Sequence, residues 1–212
     1  MSRRMFLITG VSTAAGLAFV LPTLSSASAA AGAVPGQPAP AFEVMDATGQ
    51  ARTRAQFKGK TVVLEWSSSS CPFAAAQYKA GRMPELQRWA NDQGIVWLTI
   101  LSSHPSRSDY LEPAKADAFN RKRGGAPTAL LIDASGTMGR AYGAATANHM
   151  FVVAPDGALA YAGGIDDSQS MDTGKIASSH NHVRAALEDL LARRRVATPS
   201  TEPYGCALAY AG

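Results

Sequence analysis

The clearest pattern along the chain is a set of short apolar runs separated by amphipathic stretches and by Gly/Pro-rich turns. Thr61-Val62-Val63-Leu64-Glu65-Trp66 and Ile95 to Leu101 are β-branched and nearly continuous in apolar character, which predicts strands buried on both faces. Thr128 to Ile132, Met150 to Val153 and Ala158 to Ala162 predict three more strands. The last two are joined by the turn Pro155-Asp156-Gly157. Phe42 to Asp46 alternates as an edge strand ahead of the turn Thr48-Gly49-Gln50, and Phe57 to Lys60 makes a second turn. Between these runs lie helical segments. One opens at Cys71-Pro72 and runs to about Asn91, with a bend expected near Gly81 or Pro84. Others cover Pro113 to Lys122 and Met138 to Tyr142. The last covers Val183 to Arg194, with Val183, Ala186, Leu187, Leu190 and Leu191 on one face. Strand–helix alternation followed by a final pair of strands and a helix predicts an α/β fold. Its central mixed sheet is flanked by helices and carries an N-terminal hairpin extension.

The first forty residues follow a different pattern. Ser2-Arg3-Arg4-Met5-Phe6-Leu7 begins a run reaching Leu24, interrupted by Gly10, Ser12, Thr13, Gly16 and Pro22, and Ala27-Ser28-Ala29 follows. A membrane-spanning helix needs about 20 predominantly apolar residues, and this stretch is only mildly apolar. A basic start, an apolar middle and a small-x-small end read as an export signal over residues 1–29, cleaved after Ala29. Ser-Arg-Arg-x-Phe-Leu resembles the twin-arginine address, with Ile8 where that motif usually ends in lysine. An uncleaved anchor is the alternative. Residues 30–40, rich in Ala, Gly and Pro, read as a mobile linker, residues 41–196 as the folded domain, and residues 197–212 as a tail.

Composition sharpens this only after the leader is set aside. The 212 residues carry a formal net charge of +4. The leader holds two arginines and no acid, so without it the charge falls to +2. That removes the main support for nucleic-acid binding and leaves membrane contact to export alone. The remaining clusters, Arg121-Lys122-Arg123 and Arg193 to Arg195, sit at expected helix C-termini, where the dipole favours cations.

Two cysteines, Cys71 and Cys206, are too few for a disulfide-stapled scaffold. Cys71 stands at the first turn of a helix that follows a central strand. Unpaired N–H groups and the dipole stabilise a thiolate there, and the thiolate is the nucleophile. The alternative is an inert buried thiol.

Several segments carry a family resemblance. They are Gly-Gln-Pro-Ala-Pro-Ala-Phe (36–42), Lys-Gly-Lys-Thr-Val-Val-Leu-Glu-Trp (58–66), Cys-Pro-Phe (71–73), Asp-Ala-Ser-Gly-Thr-Met-Gly-Arg-Ala-Tyr-Gly (133–143) and Met-Phe-Val-Val-Ala-Pro-Asp-Gly (150–157). With them, residues 36–166 resemble the alkyl hydroperoxide reductase/thiol-specific antioxidant group of the thioredoxin-like superfamily. The tail Pro-Tyr-Gly-Cys (203–206) resembles that of a bacterial redoxin subgroup.

The resemblance implies a thioredoxin-like fold and a thiol oxidoreductase in which Cys71 attacks a peroxide or a protein or small-molecule disulfide. An external thiol would be the reductant, and no cofactor or metal is needed. The active-site patterns depart from both well-known forms. Ala74 stands where Cys-x-x-Cys has its second cysteine. Leu64 replaces the proline of Pro-x-x-x-Thr-x-x-Cys, while Ser68 fills its hydroxyl place. Asn148 takes the position of the thioredoxin cis-proline and of the peroxiredoxin arginine.

In this scheme Ser68 donates to the thiolate, Glu65 or His149 manages protons, and Trp66 shields the thiol. A solvent-facing Glu65, a structural His149 and a core Trp66 are the plain alternatives. Cys206 either resolves oxidised Cys71, is locked to it in a permanent disulfide, or pairs with another chain. The locked form would make the domain a binding module without turnover. With export, the expected location is periplasmic or extracellular. His180-x-His182 and the acidic residues Asp166, Asp167 and Asp172 are minor metal candidates.

Overall fold

In a computed structural model, which describes Met1, residues 32–208 and Tyr210, the apolar runs build one five-stranded sheet. The export signal assigned to residues 1–29 lies, apart from Met1, outside the described residues. A hairpin, β1 (Glu43–Met45) and β2 (Ala51–Thr53), comes first and is followed by a 3-10 turn over Arg54–Phe57. β3 (Val62–Ser67) leads through a serine loop into α1 (Pro72–Lys79) and α2 (Arg82–Asp92). Then come β4 (Val96–Leu101), α3 (Pro113–Lys122), β5 (Ala129–Ile132), α4 (Thr137–Tyr142), β6 (Met150–Val153), β7 (Leu159–Gly163), α5 (Thr173–Ser178) and α6 (His182–Leu191). The strand order is β5-β4-β3-β6-β7. β3, β4 and β5 run parallel, and β6 and β7 are antiparallel additions.

Alternation along the strands divides the core into two layers. Leu64, Trp66, Leu98, Ile100, Leu131 and Phe151 face α4, where Met138 and Tyr142 cover them. Val63, Trp97, Met150, Val152 and Tyr161 face α2 and α6, meeting Met83, Leu86, Val183 and Leu187. The hairpin attaches at the β5 edge through an Asp46–Leu131 bridge.

Four features differ from or add to the expectations. The helix expected from Pro72 to Asn91 is broken rather than bent. Gly81 adopts φ 75°, a left-handed conformation that ends α1 and starts α2 in a new direction. The stretch read as a linker is packed in its described part. Ala39 is buried, its N–H donates to Gly157 O, and Pro38 bridges to Ala158. The tail is also incorporated: Ser200 pairs with Ala162 of β7 in parallel, and Ala207 pairs with Thr146. α6 ends at Leu191, short of the expected Arg194, and Arg193 takes φ 56°.

Candidate active site

The sequence places Cys71 at a defined point. β3 delivers the chain out of the sheet centre, Ser67 to Ser70 turn it, and Pro72 at the first helical position commits it to α1. Cys71 is the N-cap, with φ −81° and ψ 117°, and its carbonyl accepts the Ala75 N–H at 3.0 Å. Its side chain packs with Ala74 and Ala147 and is 2% exposed.

Cys71 is joined to Cys206 in a disulfide, with Cα atoms 5.7 Å apart across 135 residues of sequence. The Cys206 N–H also donates to Cys71 Sγ at 3.2 Å. The tail reaches this position through one isolated antiparallel bridge, Ala207 to Thr146. Ala147 N–H donates to Cys206 O (2.8 Å) and Leu208 N–H to Ala145 O (2.9 Å), so residues 206–208 form a short antiparallel ladder on the loop before β6. Cys206 itself is half-buried.

The other predicted site residues fall in separate places. Ser68 shares hydrogen bonds with Ser70 and with Asp109, both at 3.3 Å, and none with Cys71. Glu65 faces α1 and α2 rather than solvent, and is fully buried. Its Oε1 accepts from Tyr78 OH (2.8 Å). Its Oε2 accepts from Gln87 Nε2 (2.8 Å), Trp97 Nε1 (2.9 Å) and Thr99 Oγ1 (2.8 Å). Burial and the adjacent Glu65 push the Tyr78 hydroxyl well above the ordinary tyrosine range. His149 stacks on Phe151 with centroids 4.3 Å apart, and its Nδ1 accepts the Ala145 N–H. Burial holds its pKa at about 4, so the ring is neutral at neutral pH and lends no positive charge to a thiolate. Trp66 sits in the opposite layer with Tyr142 and Phe151, its indole donating to Ser102. It is a core tryptophan.

Asn148 has φ 68° and is fully buried, and neither end of its amide finds a partner among the described residues; the same holds for Thr146 Oγ1. Beside Ser68 and Ser69 lies a cleft of about 390 Å³, lined also by Tyr78, Lys79, Lys122 and Arg123.

Of the minor candidates, the His180 and His182 rings meet edge to face at 5.3 Å. Asp172 caps α5. Asp166 is buried and accepts from Gln77, Ser168 and Tyr204. No group of three or more His, Cys, Asp or Glu is arranged for a metal ion among the described residues, and no helix there is long and apolar enough to cross a membrane. Sequence reasoning missed the hydrogen-bonded group of Gln77, Asp166 and Tyr204, which joins α1 to the tail. The one available signal was Tyr204 lying two residues before Cys206.

Comparison with known proteins agrees with this architecture. The model of the AhpC/TSA family matches residues 35–162. A solved hypothetical protein from Sinorhizobium meliloti is 25% identical, with 84% of this chain and 96% of that one aligned and a TM-score of 0.68. A conserved protein from Geobacillus kaustophilus is 24% identical, covering 84% and 93%, with a TM-score of 0.69. A candidate thiol:disulfide interchange protein DsbE from Chlorobium tepidum is 17% identical, covering 73% and 99% at a TM-score of 0.54, a likeness of fold. No curated protein matches the chain.

Proposed function

The chain belongs to the AhpC/TSA family, and from that premise we propose that it is an exported thiol oxidoreductase that cycles between Cys71–Cys206 dithiol and disulfide. The observation that carries this reading is the disulfide itself. It joins a cysteine at a helix N-terminus, where a thiolate is stabilised, to a cysteine on a pinned tail.

Reduced Cys71 attacks the oxidised substrate. With a hydroperoxide, an S–O bond forms as the O–O bond breaks, and the alcohol or water leaves. With a disulfide, a mixed disulfide forms and one thiolate leaves. The Cys206 thiolate then attacks Cys71 Sγ, forming Cys71–Cys206 and expelling water or the second thiol. An external thiol restores the dithiol. Export through the twin-arginine-like leader places this cycle in an oxidising compartment. Glu65, with four donors fixed around it, supports the floor beneath α1, and His149 supports the loop that carries the ladder.

The second reading is a binding module with a permanent disulfide, favoured by the 2% exposure of Cys71. One experiment separates the two. The native oxidised protein is treated with dithiothreitol, its free thiols are titrated without denaturant, and the reduced form is then exposed to hydrogen peroxide or hydroxyethyl disulfide. Enzymatic turnover requires both steps to proceed natively and to fail in Cys71→Ser. A disulfide reducible only after unfolding overturns it. Mass spectrometry of the exported protein tests the leader, with Ala30 expected at the N-terminus.

A further inference from the structure

A second tie joins the two elements that the disulfide joins. Gln77 lies six residues after Cys71 on α1, and Tyr204 lies two before Cys206 on the tail. Gln77 Nε2 donates to the Tyr204 hydroxyl at 3.0 Å and to Asp166 Oδ2 at 2.6 Å, while the Tyr204 hydroxyl donates to Asp166 Oδ1 at 2.6 Å. Gln77 and Asp166 are buried, and the Tyr204 ring meets Phe73 edge-on at 6.0 Å. A hydrogen bond to a buried carboxylate is among the stronger neutral–charged contacts.

Further attachments flank this clasp. Upstream, Thr201 N–H donates to Ala162 O, and its hydroxyl accepts from Gly164 N–H. Downstream, Leu208 packs against the core and Tyr210 OH donates to Ala144 O. None of these contacts passes through sulfur, so opening the disulfide leaves them intact.

We infer that Tyr204, held by Asp166 and Gln77, is the positioning residue that keeps Cys206 docked beside Cys71 in the reduced protein, and that the docked tail restricts the site to small oxidants. The oxidant class is a hydroperoxide or a low-molecular-weight disulfide. The tail occupies the backbone groups of Ala145 and Ala147 through residues 206–208, and those are the groups by which an extended polypeptide would add itself next to Cys71. A small oxidant needs only access to sulfur. This inference rests on the redox reading above and assigns it a substrate class. The chemistry is balanced within the pair: Cys71 and Cys206 supply two electrons, and the small disulfide leaves as two thiols or the peroxide as water and alcohol.

The test compares reduced full-length protein with its Tyr204→Phe variant, which keeps the ring against Phe73 and loses the hydroxyl. Thiol loss is followed with hydrogen peroxide, hydroxyethyl disulfide and insulin as oxidants. The wild type should react with a small oxidant and be slow with insulin. In Tyr204→Phe the insulin to hydroxyethyl disulfide rate ratio should rise about tenfold, the factor expected when a hydrogen bond to a charged group is lost. Asp166→Asn, which retains the tyrosine, should shift the ratio the same way. A merely structural role would slow all oxidants together and leave the ratio unchanged, and that result overturns the inference. Insulin reacting with the wild type as fast as the small disulfide also overturns it, while leaving the redox reading intact. Failure of all three oxidants removes both.

Discussion

Gly205 lies so close to Ala147 that a Cβ built on it would stand 2.0 Å from the Ala147 carbonyl oxygen. Its φ of 140° already favours glycine. The close approach is what lets Cys206 reach both the Ala147 N–H and the Cys71 sulfur. Gly81, at φ 75°, offers the contrast, because a Cβ there meets nothing within 4 Å. Gly81→Ala should therefore cost only backbone strain, about 1–2 kcal/mol. Gly205→Ala should displace the tail and leave a substantial fraction of Cys71 and Cys206 unpaired. Urea denaturation with native thiol titration checks both. An equal thiol content in the two variants would refute the packing argument.

Glu65 presents two carboxylate oxygens to four donors, three of them on Oε2. In Glu65→Gln an NH2 replaces one of those oxygens. It can donate to a hydroxyl such as that of Tyr78, but the donors that pointed at the lost oxygen no longer meet an acceptor there, and the remaining bonds lose their charge. The variant should lose about 2–3 kcal/mol, the cost of unsatisfied buried polar groups, with disulfide content unchanged. Chemical denaturation of wild type and variant measures it, and a loss below 0.5 kcal/mol, the scale of a neutral surface change, would mean the donors find other partners.

The face that Glu65 takes illustrates what the sequence could not settle. Every residue of β3 from Val62 to Ser67 is buried, so alternation distinguishes two layers but not core from solvent. The continuous apolar runs of β3 and β4 were legible because central strands must be apolar on both sides. The position of Cys71 was legible because Pro72 marks a helix start. α5 escaped because, of its six residues, only Ile176 is buried. The docked tail escaped for a different reason. It attaches by backbone ladders and by a clasp whose members, Gln77, Asp166 and Tyr204, are far apart in sequence, and neither leaves a periodic signal. The family motif puts Ser68, and the loop before β6 puts His149, beside Cys71, but their hydrogen bonds run to Asp109 and Ala145.

His149 gives the fold a pH dependence of defined sign. Its pKa falls from the ordinary 6.5 to about 4 because burial disfavours the imidazolium. A depressed folded-state value means the stabilisation is fully present above pH 6.5 and is lost as pH falls towards 4. The full loss is about 3 kcal/mol. Urea midpoints should decline across that interval in the wild type. The decline should be shallower in His149→Phe, which keeps the aromatic stacking and cannot be protonated. Parallel curves would assign the acid sensitivity elsewhere. Asp46 acts in a lower window. Burial alone would raise its pKa, but hydrogen bonds from Thr48, Gln50 and Arg52 outweigh it and hold the carboxyl at about 2. Its contribution therefore persists until pH falls below 3.8.

The two cysteine variants should differ in a way that assigns their roles. Either substitution removes the 135-residue crosslink, and in the chain-entropy picture each should lower stability by about 4–5 kcal/mol. The clasp at Tyr204 stays in both, so the tail should remain docked and the fold intact at neutral pH. Reactivity then separates them. In Cys206→Ser, Cys71 still sits at the start of α1, so hydroxyethyl disulfide should give a mixed disulfide that persists because no internal thiol displaces it. In Cys71→Ser, Cys206 lies in a bend of the tail and starts no helix of its own, and its mixed disulfide should form at least tenfold more slowly, given thiolate stabilisation of a pK unit or more by a helix terminus. Intact-mass time courses on both variants, started from fully reduced protein, measure these rates directly. Equal rates would remove the helix terminus from the mechanism, and faster trapping at Cys206 would exchange the assigned roles of the two sulfurs.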